Sequence, residues 1–257
     1  MIDHVSNSQM RTFERCQVAW EFSYIWKIKG KPRAAATRGR VVHSSIARNL
    51  LQKIESEQDL PEDDVLDFFV DEFKEEAHDT WWMPDEDQDK VMDGGVRMLQ
   101  LYHQDVAPEI RPIDVEQKFK LDISWKEDEE DKSVEFTGIL DLLAQDGLHE
   151  TKTIGQTPRE PKPDHVLQLT AYWVGKESMA GASPTNGQFT YLVALKQAKI
   201  VTFPFVPTKA QKKFFVNQVP RVVRAMEAGH YIPNRANFLC KKDWCFYFGL
   251  CREEYGG

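Results

Sequence analysis

The chain has 257 residues, 41% of them hydrophobic, and a formal net charge of −8. That length buries a full core, no apolar run approaches the roughly 18–20 residues that span a bilayer, and the opening Met-Ile-Asp-His-Val-Ser-Asn-Ser lacks the basic and apolar regions of a signal peptide. A cytoplasmic protein without a membrane span is therefore expected.

The acidic balance does not exclude a nucleic-acid partner, because it is concentrated. Between positions 55 and 89, sixteen acidic residues face one basic residue, Lys74, a net of −15 that leaves +7 on the rest of the chain. The run Glu127-Asp128-Glu129-Glu130-Asp131 carries a further −5 in one short stretch. The 55–89 segment reads as a solvated helical face, with screening of wrong partners as the functional alternative.

Residues 1–29 are expected to be helical, with Ser6-Asn7-Ser8-Gln9 as a capping box and Val5 and Met10 as its hydrophobic staple. Phe13, Trp20, Phe22, Tyr24 and Trp26 are assigned to the core, since such side chains bury large apolar areas. A basic loop over 29–40 leads into a helix through Val42, Ile46 and Leu50. In 55–105, Val65, Phe68, Phe69 and Phe73 recur at helical spacing, and Trp81-Trp82-Met83-Pro84 breaks the pattern. Strand signals start at 114–123, where Val115, Gln117, Phe119, Leu121 and Ile123 share one parity.

The acidic loop and then a hairpin over 138–152 follow. Asp146-Gly147 is a two-residue turn signal between apolar runs. With those two residues at the turn, Leu143 pairs with Glu150 and Asp141 with Lys152, so Asp141, Glu150 and Lys152 share one face. The two carboxylates then sit on a diagonal of roughly 7–8 Å, close enough to share a cation beside a fixed ammonium. Such a set suits phosphodiester hydrolysis. Pro158, Pro161 and Pro163 mark a loop, Asp164 is the expected N-cap of a helix to about 179, strands are expected at 188–195 and 200–206, and a last helix at 208–229. Helices on a small mixed sheet make an α/β domain.

Three further features accompany the hairpin. His43 lies early on a helix, four residues after Gly39. Glu116 lies on the preceding strand, where a plain surface position is an equal reading. Gln168 and Tyr172 stand at i and i+4 on one helical face. Cys16 stands alone, and Cys240, Cys245 and Cys251 cluster near the end. Their pattern suits an S₄ site for zinc or iron–sulfur, or else buried free thiols. Basic Arg33, Arg38, Arg159 and Lys162 are candidate phosphate contacts, with ordinary surface as the alternative.

In this order the motifs resemble the PD-(D/E)XK nuclease superfamily. Within it they resemble the RecB-like branch, which includes the RecB-like exonucleases of CRISPR adaptation and the nuclease domain of the AddB helicase–nuclease subunit. Ser6–Trp26 looks like the opening helix with its single cysteine, and Arg38-Gly39…His43 like the Gly-x-x-x-His motif. Gly138-Ile-Leu-Asp141, Glu150-Thr-Lys152 and Gln168…Tyr172 look like the Gly-x-x-Asp, Glu-x-Lys and Gln-x-x-x-Tyr elements. The resemblance implies one restriction-endonuclease-like domain over 1–257, with a catalytic core at 111–229. It also implies a helical region at 38–110 carrying the acidic insert, and a cysteine clamp from 1–29 and 230–257.

For the site, the resemblance implies Mg²⁺ or Mn²⁺ held by Asp141, Glu150, His43 and the Thr151 carbonyl. Lys152 would position water or the scissile phosphate, Gln168 and Tyr172 would orient substrate or lysine, and Glu116 would support the site. It implies a [4Fe–4S] cluster, in preference to zinc, on Cys16, Cys240, Cys245 and Cys251. The expected activity is a DNA exonuclease preferring single-stranded ends, in recombination, repair or CRISPR adaptation. Helicase or adaptation proteins are the expected partners, because the chain has no P-loop of its own. The alternative is a catalytically idle module that binds DNA ends or a partner.

Overall fold

The computed structural model describes residues 2–180 and 184–256. At its centre lies a six-stranded mixed sheet. β2 (Pro112–Glu127) and β3 (Glu130–Ala144) form a long antiparallel hairpin, and a tight turn leads from β3 into β4 (Gly147–Ile154). β4 pairs in parallel with β5 (Gly187–Val193), which pairs antiparallel with β6 (Lys199–Pro204). A parallel step needs a crossover, supplied here by helix α6 (Pro163–Ala180). The three-residue strand β1 (His4–Ser6) joins β3 in parallel, within a stretch expected to be helical.

Helices cover both faces. On one, α3 (Ala34–Ser56), α4 (Glu62–Ala77) and α5 (Gln88–Asp105) pack Ile46, Leu50, Phe69, Phe73 and Leu99 against Val115, Leu142 and Leu192. On the other, α1 (Asn7–Arg15), α6 and α7 (Lys209–Glu227) pack Phe13, Trp173 and Phe215 against Phe119, Phe136 and Phe189. Each such side chain contributes about 1.5–3 kcal/mol on leaving water. The acidic segment is therefore a packed helical layer: Val65, Phe69 and Phe73 are buried, and Glu62, Asp63 and Asp64 occupy the first turn of α4, where the helix dipole favours them. Among the described residues no helix is long and apolar enough to cross a membrane.

Several local expectations shift. α3 begins at Ala34, so Arg38 and Arg40 are helical and not part of a loop. α6 begins at Pro163, whose preset φ suits a first helical position, so Asp164 is inside the first turn and pairs with Arg11 instead of capping. Trp26 is 41% exposed, outside the core assigned to it. The acidic stretch 127–131 is the tip of the β2–β3 hairpin; Asp128 and Glu129 take φ of 48° and 67°, the left-handed pair that a type I′ turn requires.

At the N-terminus, Ser6 caps α1 by accepting the Gln9 N–H, with Val5 and Met10 buried as expected of a staple. Cys16 then breaks the helix, followed by α2 (Gln17–Trp20) and a π-helical turn at Glu21–Ile25. The terminal segment, ending in α8 (Phe248–Tyr255), folds back onto this region. Tyr247 Oη bonds Ser23 Oγ at 2.8 Å and donates to the Ile28 carbonyl at 2.9 Å, and Tyr231 packs on Trp20 and Phe13.

Two glycines let α6 lie close on the sheet. A Cβ at Gly138 or at Gly175 would enter the Phe119 ring, and one at Gly138 would also press Tyr172. Gly138→Ala is expected to cost about 1–3 kcal/mol through overpacking, seen as a lower urea midpoint with an unchanged slope.

Candidate active site

The β3–β4 turn is built by Gln145 and Asp146, with Ala144 opposite Gly147 and Leu142 opposite His149. The expected Asp146-Gly147 turn is thus displaced by one residue. Gly147, at φ +142°, is instead a strand residue whose missing Cβ makes room for the Asn186 backbone. The displacement keeps parity, and continuing the register sets Asp141 directly across from Glu150 rather than on its diagonal.

That register stops short of the pair. β3 gives one edge to β1 at Glu135, Phe136 and Thr137 and to β4 at Leu142, Leu143 and Ala144. Residues 138–141 between them lack a strand partner on that side. There the Thr151 N–H donates to Asp141 Oδ2 at 3.3 Å, a side-chain bond standing in for a ladder bond where the strands part.

The pleat also breaks here. Val134, Phe136 and Leu140 face the α6-side core, whereas Leu142 and Ala144, of the same parity, face the α3-side core. β2 behaves likewise, with Phe119 and Ile123 on one side and Val115 on the other. A regular strand keeps such residues on one face, so the ribbon turns over at the opposed positions Glu116 and Asp141, which the Cα pairing skips. Glu116 takes φ +54°, costing about 1–3 kcal/mol for a non-glycine residue. Bulges of this sort re-aim side chains beside active sites.

Glu150 is 0% exposed, and among the described residues the Lys152 ammonium is the group that meets its carboxylate. Burial, followed by the nearby Asp141 charge, pushes its carboxyl up to about 8, with Lys152 opposing. Burial alone would pull Lys152 down, but Glu150 and Asp141 outweigh it and raise the ammonium. Burial and Asp141 also raise Glu116, against Lys152.

His43 reaches the same point from the other layer. A Cβ at Gly39 would stand 2.6 Å from Thr153 Oγ1, so the glycine lets α3 lie directly on β4. One turn later His43 Nδ1 is 3.6 Å from Asp141 Oδ2. Burial lowers the imidazole's pKa, Asp141 raises it and Lys152 lowers it further, with the net downward and the neutral ring favoured. From α6, Gln168 Nε2 donates to Tyr172 Oη at 2.6 Å. Burial, then the Glu150 and Asp141 charges, push the Tyr172 phenol up and keep it protonated.

The structure thus gathers Asp141, Glu150, Lys152, Thr151, His43, Tyr172, Gln168 and Glu116 around one strand divergence. Two contributors carried no sequence signal beyond core periodicity. Tyr102 of α5, 3% exposed, hydrogen-bonds the Thr151 side chain and lies near Asp141, so the acidic insert buttresses the site. Tyr191, Cα partner of Lys152 on β5, bonds His165 Nδ1 through its hydroxyl at 3.0 Å and ties the start of α6 to the sheet. Burial pushes His165 down to about 4.

The four basic candidates do not stand together. Arg159 and Lys162 are exposed before α6. Arg38 lies against Gly94 with Arg97 nearby, its Nε buried and without a hydrogen bond; burial, then Arg97, lowers its pKa. Arg33 is engaged by the protein itself, donating to the Asp243 carbonyl at 2.7 Å and stacking 5.0 Å from the Trp81 ring centre and 5.2 Å from that of Trp244.

The four cysteines are unbridged and half-buried and line one cavity of about 810 Å³ between the N-terminal helices and the terminal segment. Cys16 Sγ accepts the Asn234 N–H at 3.5 Å, and Cys245 accepts from Tyr247. Burial raises Cys245 and Cys251, and the neighbouring thiols add to it. Among the described residues, no three His, Cys, Asp or Glu side chains form a group that could hold a metal ion, here or at Asp141.

Comparison with known proteins gives a family and a fold. The family model of the PD-(D/E)XK nuclease superfamily matches residues 4–252. No curated protein sequence matches the chain. The solved structure of a "Putative exonuclease" from Eubacterium rectale is similar at a TM-score of 0.60 and 9% identity, over 91% of this chain and 85% of that one, which speaks for the fold alone. A second, SSO0001, matches at a TM-score of 0.45 and 11% identity, over 98% of this chain and 87% of that one, too slight a likeness to argue from.

Proposed function

The chain belongs to the PD-(D/E)XK nuclease superfamily, and on that premise we propose that it is a metal-dependent deoxyribonuclease, an exonuclease acting mainly on single-stranded ends. The observation that carries this reading is Glu150. A fully buried carboxylate is costly, and among the described residues its one paired counter-charge is a lysine two residues along the same strand. A second carboxylate, Asp141, close enough to raise it further makes the pair a seat for a divalent cation.

The residues fit Mg²⁺ or Mn²⁺. Asp141, Glu150 and the Thr151 carbonyl offer oxygen, and neutral His43 offers nitrogen, a mixed set that leans toward Mn²⁺. A cation there supplies a Lewis acid for the phosphate and lowers the pKa of the attacking water. Lys152, charged beside Glu150, would orient the attacking water or a phosphate oxygen. Tyr172, held protonated, donates to the phosphate, and Gln168 fixes its phenol. Tyr102 and Glu116 hold the Thr151–Asp141 geometry.

The cysteines support a structural [4Fe–4S] cluster. All four line one cavity, and two accept backbone N–H groups. A cubane takes one thiolate on each of its four irons, and an all-thiolate set suits it, in preference to zinc. With such a cluster the protein would be one of the RecB-like iron–sulfur branch, serving recombination, repair or CRISPR adaptation with any helicase motor on another chain.

The test is digestion of end-labelled single- and double-stranded DNA by anaerobically purified protein with Mn²⁺, Mg²⁺ or EDTA. Cation-dependent shortening from single-stranded ends is expected. No degradation under any condition would overturn the reading.

A further inference from the structure

Away from the carboxylates, the N-terminal and C-terminal segments build a surface that the catalytic reading does not use. Residues 26–33 (Trp-Lys-Ile-Lys-Gly-Lys-Pro-Arg) carry four cationic side chains and no acidic one, in a chain of net −8. The segment runs along Trp244-Cys245-Phe246-Tyr247: Phe246 lies 3.3 Å from where a Gly30 Cβ would stand, and Lys29 and Lys31 border the same cavity as Trp244 and Phe246. Trp244 is 51% exposed and Phe246 44%. Arg33 stacks between the Trp81 and Trp244 rings, and Phe246 meets Trp81 edge-on at 6.2 Å, so the rings form one ordered group and not scattered singles. Among the described residues, Lys27, Lys29, Lys31, Lys241 and Lys242 make no ion pair, although acidic side chains abound elsewhere.

We infer that this face is a binding platform for single-stranded nucleic acid, with Trp244 and Phe246 stacking bases and Lys29, Lys31, Lys241 and Lys242 following the phosphates. Unpaired cations match a polyanion in charge, and exposed rings match unstacked bases, which a duplex does not offer. The inference rests on the nuclease reading and extends it. Arg33 precedes α3 and His43 lies ten residues along, about 15 Å at 1.5 Å per residue. α3 is thus a short ruler from the platform to the carboxylates, and a strand held at one end presents its terminus at the other.

The test is fluorescence anisotropy with a labelled oligothymidylate in EDTA, where no cleavage occurs, beside a blunt duplex of equal length. Trp244→Ala/Phe246→Ala is expected to bind oligothymidylate about tenfold to a hundredfold more weakly, with little change on the duplex. Because these rings flank Cys245, a second variant, K29E/K31E/K241E/K242E, changes only exposed side chains. It should lose affinity and show a shallower salt dependence. Unaltered oligothymidylate binding in the charge-reversed variant overturns the platform while leaving the nuclease assignment to the digestion assay. So does loss of binding to phosphatidylserine vesicles with oligothymidylate binding intact, which would make the face a membrane contact.

Discussion

Lys152→Ala is expected to lose about 10³-fold or more in DNA cleavage while retaining its circular dichroism spectrum, and Asp141→Ala is expected to do the same. Among the described residues Lys152 is the one cation paired with Glu150, and Asp141 stands where the strands part and the Thr151 N–H reaches it. Removing either leaves the two core layers untouched, since neither residue belongs to them. The two variants should differ in metal response. Asp141→Ala removes a proposed ligand, so Mn²⁺ should no longer raise its melting temperature, whereas Lys152→Ala keeps the carboxylates and should still respond.

A pH dependence accompanies this. Glu150 is raised in the fold to about 8, so its contribution to stability is complete below the ordinary carboxylate range and is lost as pH climbs through that value. The metal-free protein should therefore melt lower at pH 8 than at pH 5. Protons compete with the cation for the carboxylate, so Mn²⁺ should raise the melting temperature more at pH 8 than at pH 6. Full cleavage by either alanine variant would sink the site assignment.

Cys16→Ser carries the second large effect, and it falls on stability. Cys16 sits at the break between α1 and α2, and Cys240, Cys245 and Cys251 lie on a segment otherwise held by Tyr231, Tyr247 and Tyr255. The proposed cluster bridging them would close a loop of more than two hundred residues. Such a site does not preexist in the unfolded chain, so its binding free energy becomes folding free energy. Loss on the order of 5 kcal/mol is expected, with a fall of about 10 °C or more in melting temperature. The anaerobic wild type is expected to absorb in the visible and the variant to be colourless. A colourless variant that melts like wild type would remove the structural role, and a colourless wild type with full nuclease activity would remove the cluster but leave the enzyme.

Much of the site was legible one side chain at a time. Gly39 and His43 are a helical turn apart, and Gln168 and Tyr172 likewise, so helix periodicity alone sets each pair on one face. Glu150 and Lys152 share a strand face by alternation. The apolar spacing of Val65, Phe69 and Phe73 likewise announced a packed helix beneath the acidic charges. The turn was misplaced by a residue because Gly147 is needed for a close approach to Asn186, a distant segment that local turn propensity does not contain. The alternation argument survived only because that displacement kept parity.

What the sequence determined by itself was therefore the inventory and its local phasing: which carboxylates, which lysine, which histidine, and the face each occupies on its own element. Only the tertiary structure decided that β3 divides its edge between β1 and β4, that the ribbon turns over at Glu116 and Asp141, and that Tyr102 and Tyr191 back the site. Those features arise from pairings between residues far apart in the chain, where close packing and shared strand edges allow few arrangements. No local propensity encodes them.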